Sequence, residues 1–296
     1  MLPCEAIAHA RGERAPGLGR ILPTACMSAL FDLDAYFARI RYQGPRDPTA
    51  EVLTAVTEHH ALGIPFENLD ILLGRPVRLD PASIEDKLVR GGRGGYCFEH
   101  NTLLAGILRQ IGFDVVTLGA RVRWMVPPNA HTPRTHMVLA VDLPEGRRLV
   151  DGGFGGLGLT APLRFDTDGE QRSLFEPQRI VSAPWGKLLQ AKVGGEWRDL
   201  YVFTEEPQTT VDYEVANWYT STHPASRFRQ NLIVTAADRN ARYALFNREF
   251  SIYKKGSTER RTIDHPDELL DVLARYFTLS FPEGTRFGDA GAPWPR

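Results

Sequence analysis

The apolar residues change their spacing at Phe113, and that change constrains how the chain can fold. From Ser28 to Gly112 they recur at helical intervals, over residues 28–42, 48–62, 81–89 and a segment opening at Cys97, with Pro and Gly between. Beyond Phe113 the interval falls towards two, over residues 115–118, 121–126, 136–141, 148–151, 187–193 and 197–203. The first spacing buries one stripe of a helix and the second one face of a strand. The strand segments are β-branched and aromatic with turn glycines between them, which suits a small barrel or sandwich. After Pro207 the pattern mixes. Residues 243–246 and 250–253 read as a hairpin, and 266–277 as a helix entered by Asp264. The expectation is a helical unit over 27–112, a β unit over 113–206 and a smaller α/β unit over 207–296.

Composition narrows the function classes. In 296 residues the formal net charge is -1, which gives no electrostatic reason to expect nucleic acid or an anionic membrane as partner. Cys4, Cys26 and Cys97 form no disulfide framework. No apolar run reaches the length of a membrane span. The stretch before Met27 lacks the apolar core of a signal peptide and reads as a disordered extension over 1–26, or as a start placed upstream of Met27. A cytoplasmic protein is expected.

The helix opening at Cys97 follows Arg90-Gly91-Gly92-Arg93-Gly94-Gly95-Tyr96 and carries Leu103, Leu104, Ile107, Leu108 and Ile111 before Gly112. A cysteine in a first helical turn meets unpaired N–H groups and the positive end of the dipole, which favour an anion. The glycines clear side chains from around the sulfur. Such a loop presents a nucleophile.

A thiolate needs a base, and the base an orienting group. His59, His60, His223 and His265 stand in polar contexts that suit surface residues. His136 opens an alternating strand, followed by a reversal and then Arg148-Leu149-Val150-Asp151-Gly152-Gly153. A turn centred between Leu143 and Pro144 would set His136 opposite Asp151. One centred on Glu145-Gly146 would part them by about four strand positions, roughly 13 Å. The residues alone leave both registers open. Cys97 with His100, and His131 with His136, have spacings a zinc site could use, but a lone cysteine behind a glycine loop argues against it. The glycine runs at 91–95 and 152–158 lack a phosphate-loop ending.

Arg93-Gly94-Gly95-Tyr96-Cys97-Phe98-Glu99-x-Asn101 resembles the active-site signature of the arylamine N-acetyltransferases. Ile64-Pro65-Phe66-Glu67-Asn68-Leu69, Leu149-Val150-Asp151-Gly152-Gly153-Phe154-Gly155 and Asn217-Trp218-Tyr219-Thr220-Ser221-Thr222-His223-Pro224 agree in type and order, so the likeness runs from about Met27 to the C-terminus. The resemblance implies an α+β multidomain fold: an N-terminal helical bundle, a central β-barrel and a C-terminal α/β lid around a cysteine-protease-like Cys-His-Asp core. It implies Cys97, His136 and Asp151 as that triad, and so the register that brings the last two together. It implies acetyl-CoA as co-substrate with no metal, and an arylamine or arylhydrazine acceptor. Phe66, Phe154 and Gly153 would bound the acceptor pocket, and Thr135 would touch the coenzyme A arm. Arg93 and Glu67 read as a buried ion pair holding the cysteine loop. His100 and Gly152 depart from the family pattern, standing where an apolar or amide residue and a valine are usual.

Two rival activities keep the same residues: an amide synthase acting on an aromatic secondary metabolite, and a Cys-His-Asp thiol hydrolase. A monomer and a homodimer are equally compatible with the chain.

Overall fold

The computed structural model describes residues 31–127 and 129–288. The extension expected over residues 1–26, with Cys4, Cys26 and His9, lies outside the described residues. Helix α1 (Leu33–Arg39) starts where Asp32 accepts from Ala35 N at 3.0 Å, and α2 (Ala50–Gly63) where Thr49 accepts from Val52 N at 3.3 Å. A short strand β1 (Phe66–Glu67) and helix α3 (Leu69–Leu72) follow. The helix expected over 81–89 is α4 (Pro81–Ile84) running into a π-helical turn over Glu85–Arg90. Gly91 N reaches back to Asp86 O at 2.7 Å, and this widened turn feeds the glycine loop. Helix α5 (Cys97–Ile111) ends at Gly112, whose φ of 111° is the left-handed stop its sequence promised.

The second unit is a seven-stranded sheet made of β2 (Asp114–Val122), β3 (His136–Asp142), β4 (Arg148–Val150), β5 (Leu163–Arg164), β6 (Gln178–Ala183), β7 (Gly186–Val193) and β8 (Glu196–Pro207). Their order is β5-β4-β3-β2-β8-β7-β6. Gln171 bridges the two edges: its side chain pairs with the Arg164 backbone, and its own backbone pairs with Gln178. The sheet thereby curls into a nearly closed barrel, which hides edge strands. The strand expected over 121–126 is the end of β2. It stops because the Arg123 and Trp124 amides both turn to Leu200 O and Met125 is left-handed at φ 56°. Strand β3 is buried on both faces. Met137, Leu139 and Val141 join the helical core, while Val138 and Ala140 line the barrel interior.

The third unit contains α6 (Thr210–Thr222), α7 (Arg227–Gln230), β9 (Ile233–Ala237), β10 (Ala241–Phe246), β11 (Glu249–Lys254), β12 (Ser257–Thr262) and α8 (Pro266–Phe277). The expected hairpin is β10–β11, and β1 adds itself to the same sheet with Phe66 opposite Thr235. His265, not Asp264, caps α8. The residue before Pro266 is forced extended, so its side chain is the one that reaches Asp267 N, while Asp264 pairs with Arg248. The expected α+β organisation of helical bundle, barrel and α/β unit is borne out. Among the described residues no helix is long and apolar enough to cross a membrane.

Candidate active site

Helix α5 packs against β3, which brings the N-terminal ends of the two elements, Cys97 and His136, together, with the His136 ring on the barrel side against Tyr201 and Phe154. Cys97 is a free thiol, 3% exposed, with Sγ 3.6 Å from the carbonyl oxygen of Thr135. His136 Nε2 lies 2.7 Å from Asp151 Oδ2 in a fully enclosed contact. The nearby Cys97 sulfur favours the charged ring as well. Neither register weighed from the sequence occurs. Strand β3 pairs with β4 as Leu139↔Val150, Ala140↔Leu149 and Val141↔Arg148, centring the reversal on Pro144 and Glu145. Asp151 therefore lies just beyond the last pair and approaches His136 diagonally.

Asn101 makes that diagonal stable. Its Nδ2 donates to Asp151 Oδ1 at 2.9 Å and to Met137 O at 2.7 Å, and its Oδ1 accepts from Gly152 N at 2.9 Å. Gly153 N adds a further donor to Asp151 Oδ1. Asn101 lies one helical turn after Cys97 and shares its face. The sequence reading gave it no role, although that four-residue spacing was the available signal. A Cβ on Gly153 would stand 2.7 Å from Cys97 Cα, so only glycine lets this strand end pass Cys97. Tyr201, also without a sequence-based role, sets its buried ring 4.9 Å from His136.

Charge follows geometry. Burial disfavours a charged His136, but the Asp151 carboxylate, its hydrogen bond and the Cys97 sulfur outweigh it and push the imidazole up to about 10. Burial likewise opposes an ionised Asp151, yet His136, Asn101 and Gly153 N hold it below the usual carboxylate range. The cysteine loop is braced from behind. Arg93 donates twice to Glu67 Oε1, at 3.0 and 2.6 Å, and also meets Asp70. Lys87 joins Asp70 and Glu99 at 2.7 Å each, and Glu99 accepts from Tyr96 N just before Cys97.

The expected pocket residues split into two walls. Phe154 stands edge-on to His136 at 5.3 Å, while Phe66 stacks on His100 at 6.5 Å. Beside Phe66 a small cavity reaches Asp151, Gly152, Thr235 and Arg242. A larger cavity of about 460 Å³ opens on the outer wall of the barrel, lined by Gly119, Arg121, Thr132, Arg134, Trp185 and Thr204 among others. Arg134 pairs with Glu206, whereas Arg121 meets the Thr132 carbonyl and no carboxylate. The hydroxyl oxygens of Thr132 and Thr204 are buried without a hydrogen-bond partner. Cations and unsatisfied hydroxyls of this kind fit the phosphates of a nucleotide.

Among the described residues no cluster of His, Cys, Asp and Glu could hold a metal ion. His131 is exposed beside Trp185. His100 turns from Cys97 towards His60, which is not the surface residue expected: it is fully buried, because α2 is packed on that side by Tyr36 and α5.

A family model described as N-acetyltransferase matches residues 49–285. An arylamine N-acetyltransferase of Mycobacterium tuberculosis is 42% identical over 265 residues, 88% of this chain and 93% of that protein. A Salmonella typhimurium protein named arylamine N-acetyltransferase / N-hydroxyarylamine O-acetyltransferase is 35% identical, over 83% of this chain and 88% of its own. The structure of Mycobacterium marinum arylamine N-acetyltransferase in complex with CoA superposes with a TM-score of 0.81 at 41% identity, covering 83% of this chain and 92% of that one.

Proposed function

Because this chain belongs to the arylamine N-acetyltransferase family, we propose that its acetyl-CoA-dependent transfer to aromatic amines runs through Cys97, His136 and Asp151. The carrying observation is the enclosed 2.7 Å contact between His136 and Asp151, with Cys97 at the head of α5 also favouring the charged ring. A proton kept on His136 leaves the sulfur anionic. The sulfur attacks the thioester carbonyl carbon, the bond from that carbon to coenzyme A sulfur breaks, and His136 gives its proton to the departing thiolate. An arylamine nitrogen then attacks acetyl-Cys97 while His136 takes the amine proton, and the carbon–Cys97 bond breaks to release the amide. With an arylhydroxylamine the attacking atom is oxygen. Asp151 keeps the ring oriented and stabilises its charge throughout.

Phe66, Phe154 and Gly153 bound the acceptor side in this reading. Thr135 lies at the coenzyme A side, and the cavity with Arg121 and Arg134 takes the nucleotide phosphates. A free reactive thiol suits a reducing compartment, which supports a cytoplasmic role in modifying foreign aromatic amines.

Intact-mass analysis after acetyl-CoA alone should find one acetyl group, on Cys97, that persists until an arylamine is added. Prompt release as acetate would instead identify a thiol hydrolase. Double-reciprocal plots at several fixed acetyl-CoA concentrations should be parallel. Arg121→Ala should raise the acetyl-CoA KM about fivefold while leaving transfer from p-nitrophenyl acetate, which has no nucleotide, unchanged.

A further inference from the structure

Behind the nucleophile runs a buried chain of polar groups that the proposed reaction does not use. Tyr36 Oη lies 2.9 Å from His60 Nδ1, His60 Nε2 lies 2.9 Å from His100 Nδ1, and His100 Nε2 lies 3.2 Å from the Pro65 carbonyl. All three side chains are fully enclosed. The carbonyl can only accept, so His100 carries its proton on Nε2 and offers Nδ1 as acceptor. His60 must then donate from Nε2 and accept at Nδ1, and Tyr36 must donate. A single direction satisfies every group. The chain also dead-ends at a carbonyl, so it cannot relay a proton to the reaction.

Its two imidazoles touch the two segments that flank Cys97. His100 holds the carbonyl of Pro65, the residue before Phe66, and stacks on the Phe66 ring. On the other side, a Cβ on Gly152 would come within 2.6 Å of the His60 ring, and one on Gly153 within 3.0 Å of His100 Cβ. Neither glycine has a left-handed φ, so space and not backbone conformation excludes a side chain there. His100 and Gly152, the two departures from the family pattern, are therefore one feature: the His60 ring fills the volume that a valine at 152 would need.

We propose that His60, His100 and Gly152 are positioning residues that set the distance between the Phe66 wall and the Asp151–Gly153 turn, and so the acceptor range of the acetyl-enzyme. The inference rests on the acyltransferase reading. It acts on the second half-reaction, because the chain touches the acceptor wall and neither Sγ nor His136.

His100→Leu removes both hydrogen bonds and should raise the KM for bulky arylamines about tenfold, with the rate of Cys97 acetylation unchanged. His100→Gln, whose amide can donate and accept, should restore most of the loss. Gly152→Val should resemble His100→Leu, and adding His60→Ala should relieve it, a non-additive cycle. Imidazole ¹⁵N shifts of the unsubstituted protein should report His60 and His100 as neutral Nε2–H rings at neutral pH, a readout independent of activity and of any variant's folding. Additive effects of Gly152→Val and His60→Ala, equal slowing of acetylation and transfer, or a charged or Nδ1–H ring would overturn the proposal. Failure of the unsubstituted protein to acetylate Cys97 would instead sink the transferase reading, leaving the ¹⁵N result to decide the chain.

Discussion

Two imidazole sites lie within this fold, both cut off from water, and they settle on different charge states. His136 is pushed up to about 10, while His100 is pulled down to about 4 and His60 falls well below the usual histidine range. Burial alone favours the neutral ring at all three. What differs is the partner: a carboxylate 2.7 Å from His136, against another imidazole and a backbone carbonyl for His100. A buried histidine is thus committed by its second hydrogen bond. One ring is held charged beside a carboxylate and the other is held neutral, from the same residue type and nearly the same degree of enclosure.

The sharpest ways to break this contrast act on Cys97 and the charged pair. Cys97→Ala should abolish both acetyl-enzyme formation and transfer, read by intact mass and by amide product. Asp151→Asn makes the His136 site resemble the His60 site, because the ring loses its anion and can adopt the wrong tautomer. Turnover should fall by about 10³-fold or more. Retention of most activity would mean that the carboxylate is not what separates the two sites.

The charged half of this contrast was legible in the sequence and the neutral half was not. The glycine loop before a helical stripe marked Cys97, and strand alternation marked His136, because both signals are local. Asp151 was legible as a residue but not in register, since a shift in where the reversal centres is worth little in turn chemistry and is decided by Asn101 from another element. His60 misled because its neighbours on α2, Glu58 and His59, are polar, and its burial depends on Tyr36 and α5 closing over it. Helix α6 escaped notice for a related reason. Val211, Val215 and Trp218 face outward, so its apolar spacing does not trace a buried stripe.

A smaller effect separates the sites by pH. His136 has its folded value above the ordinary 6.5, so the folded state holds the extra proton between 6.5 and about 10. Its contribution to stability is complete below 6.5 and is lost as pH rises through that window. His100 runs the other way. Between about 4 and 6.5 the unfolded chain binds a proton that the folded ring refuses, so stability is lost as pH falls. For His100 the full difference is about 3 kcal/mol. Denaturant unfolding across pH should find His100→Gln flattening the acid limb and leaving the alkaline limb, whereas Asp151→Asn should flatten the alkaline limb and also remove the carboxylate's own share of the acid limb below the ordinary 3.8. Flattening of the alkaline limb by His100→Gln would mean that the two sites titrate as one system.

The smallest expected effect comes from the far end of the neutral chain. Tyr36→Phe deletes the hydroxyl that donates to His60 Nδ1 and leaves that nitrogen buried without a donor, at a cost of about 1–3 kcal/mol. The direction of the chain should survive, because it is fixed at the opposite end by the Pro65 carbonyl, which only accepts. The melting temperature should therefore drop while the arylamine KM and the ¹⁵N tautomer pattern stay as they were. If the tautomers switched in Tyr36→Phe, the hydroxyl and not the carbonyl would be setting the direction. The brace would then be anchored in the helical core, remote from the acceptor wall, and its influence on Phe66 would have to pass through packing alone.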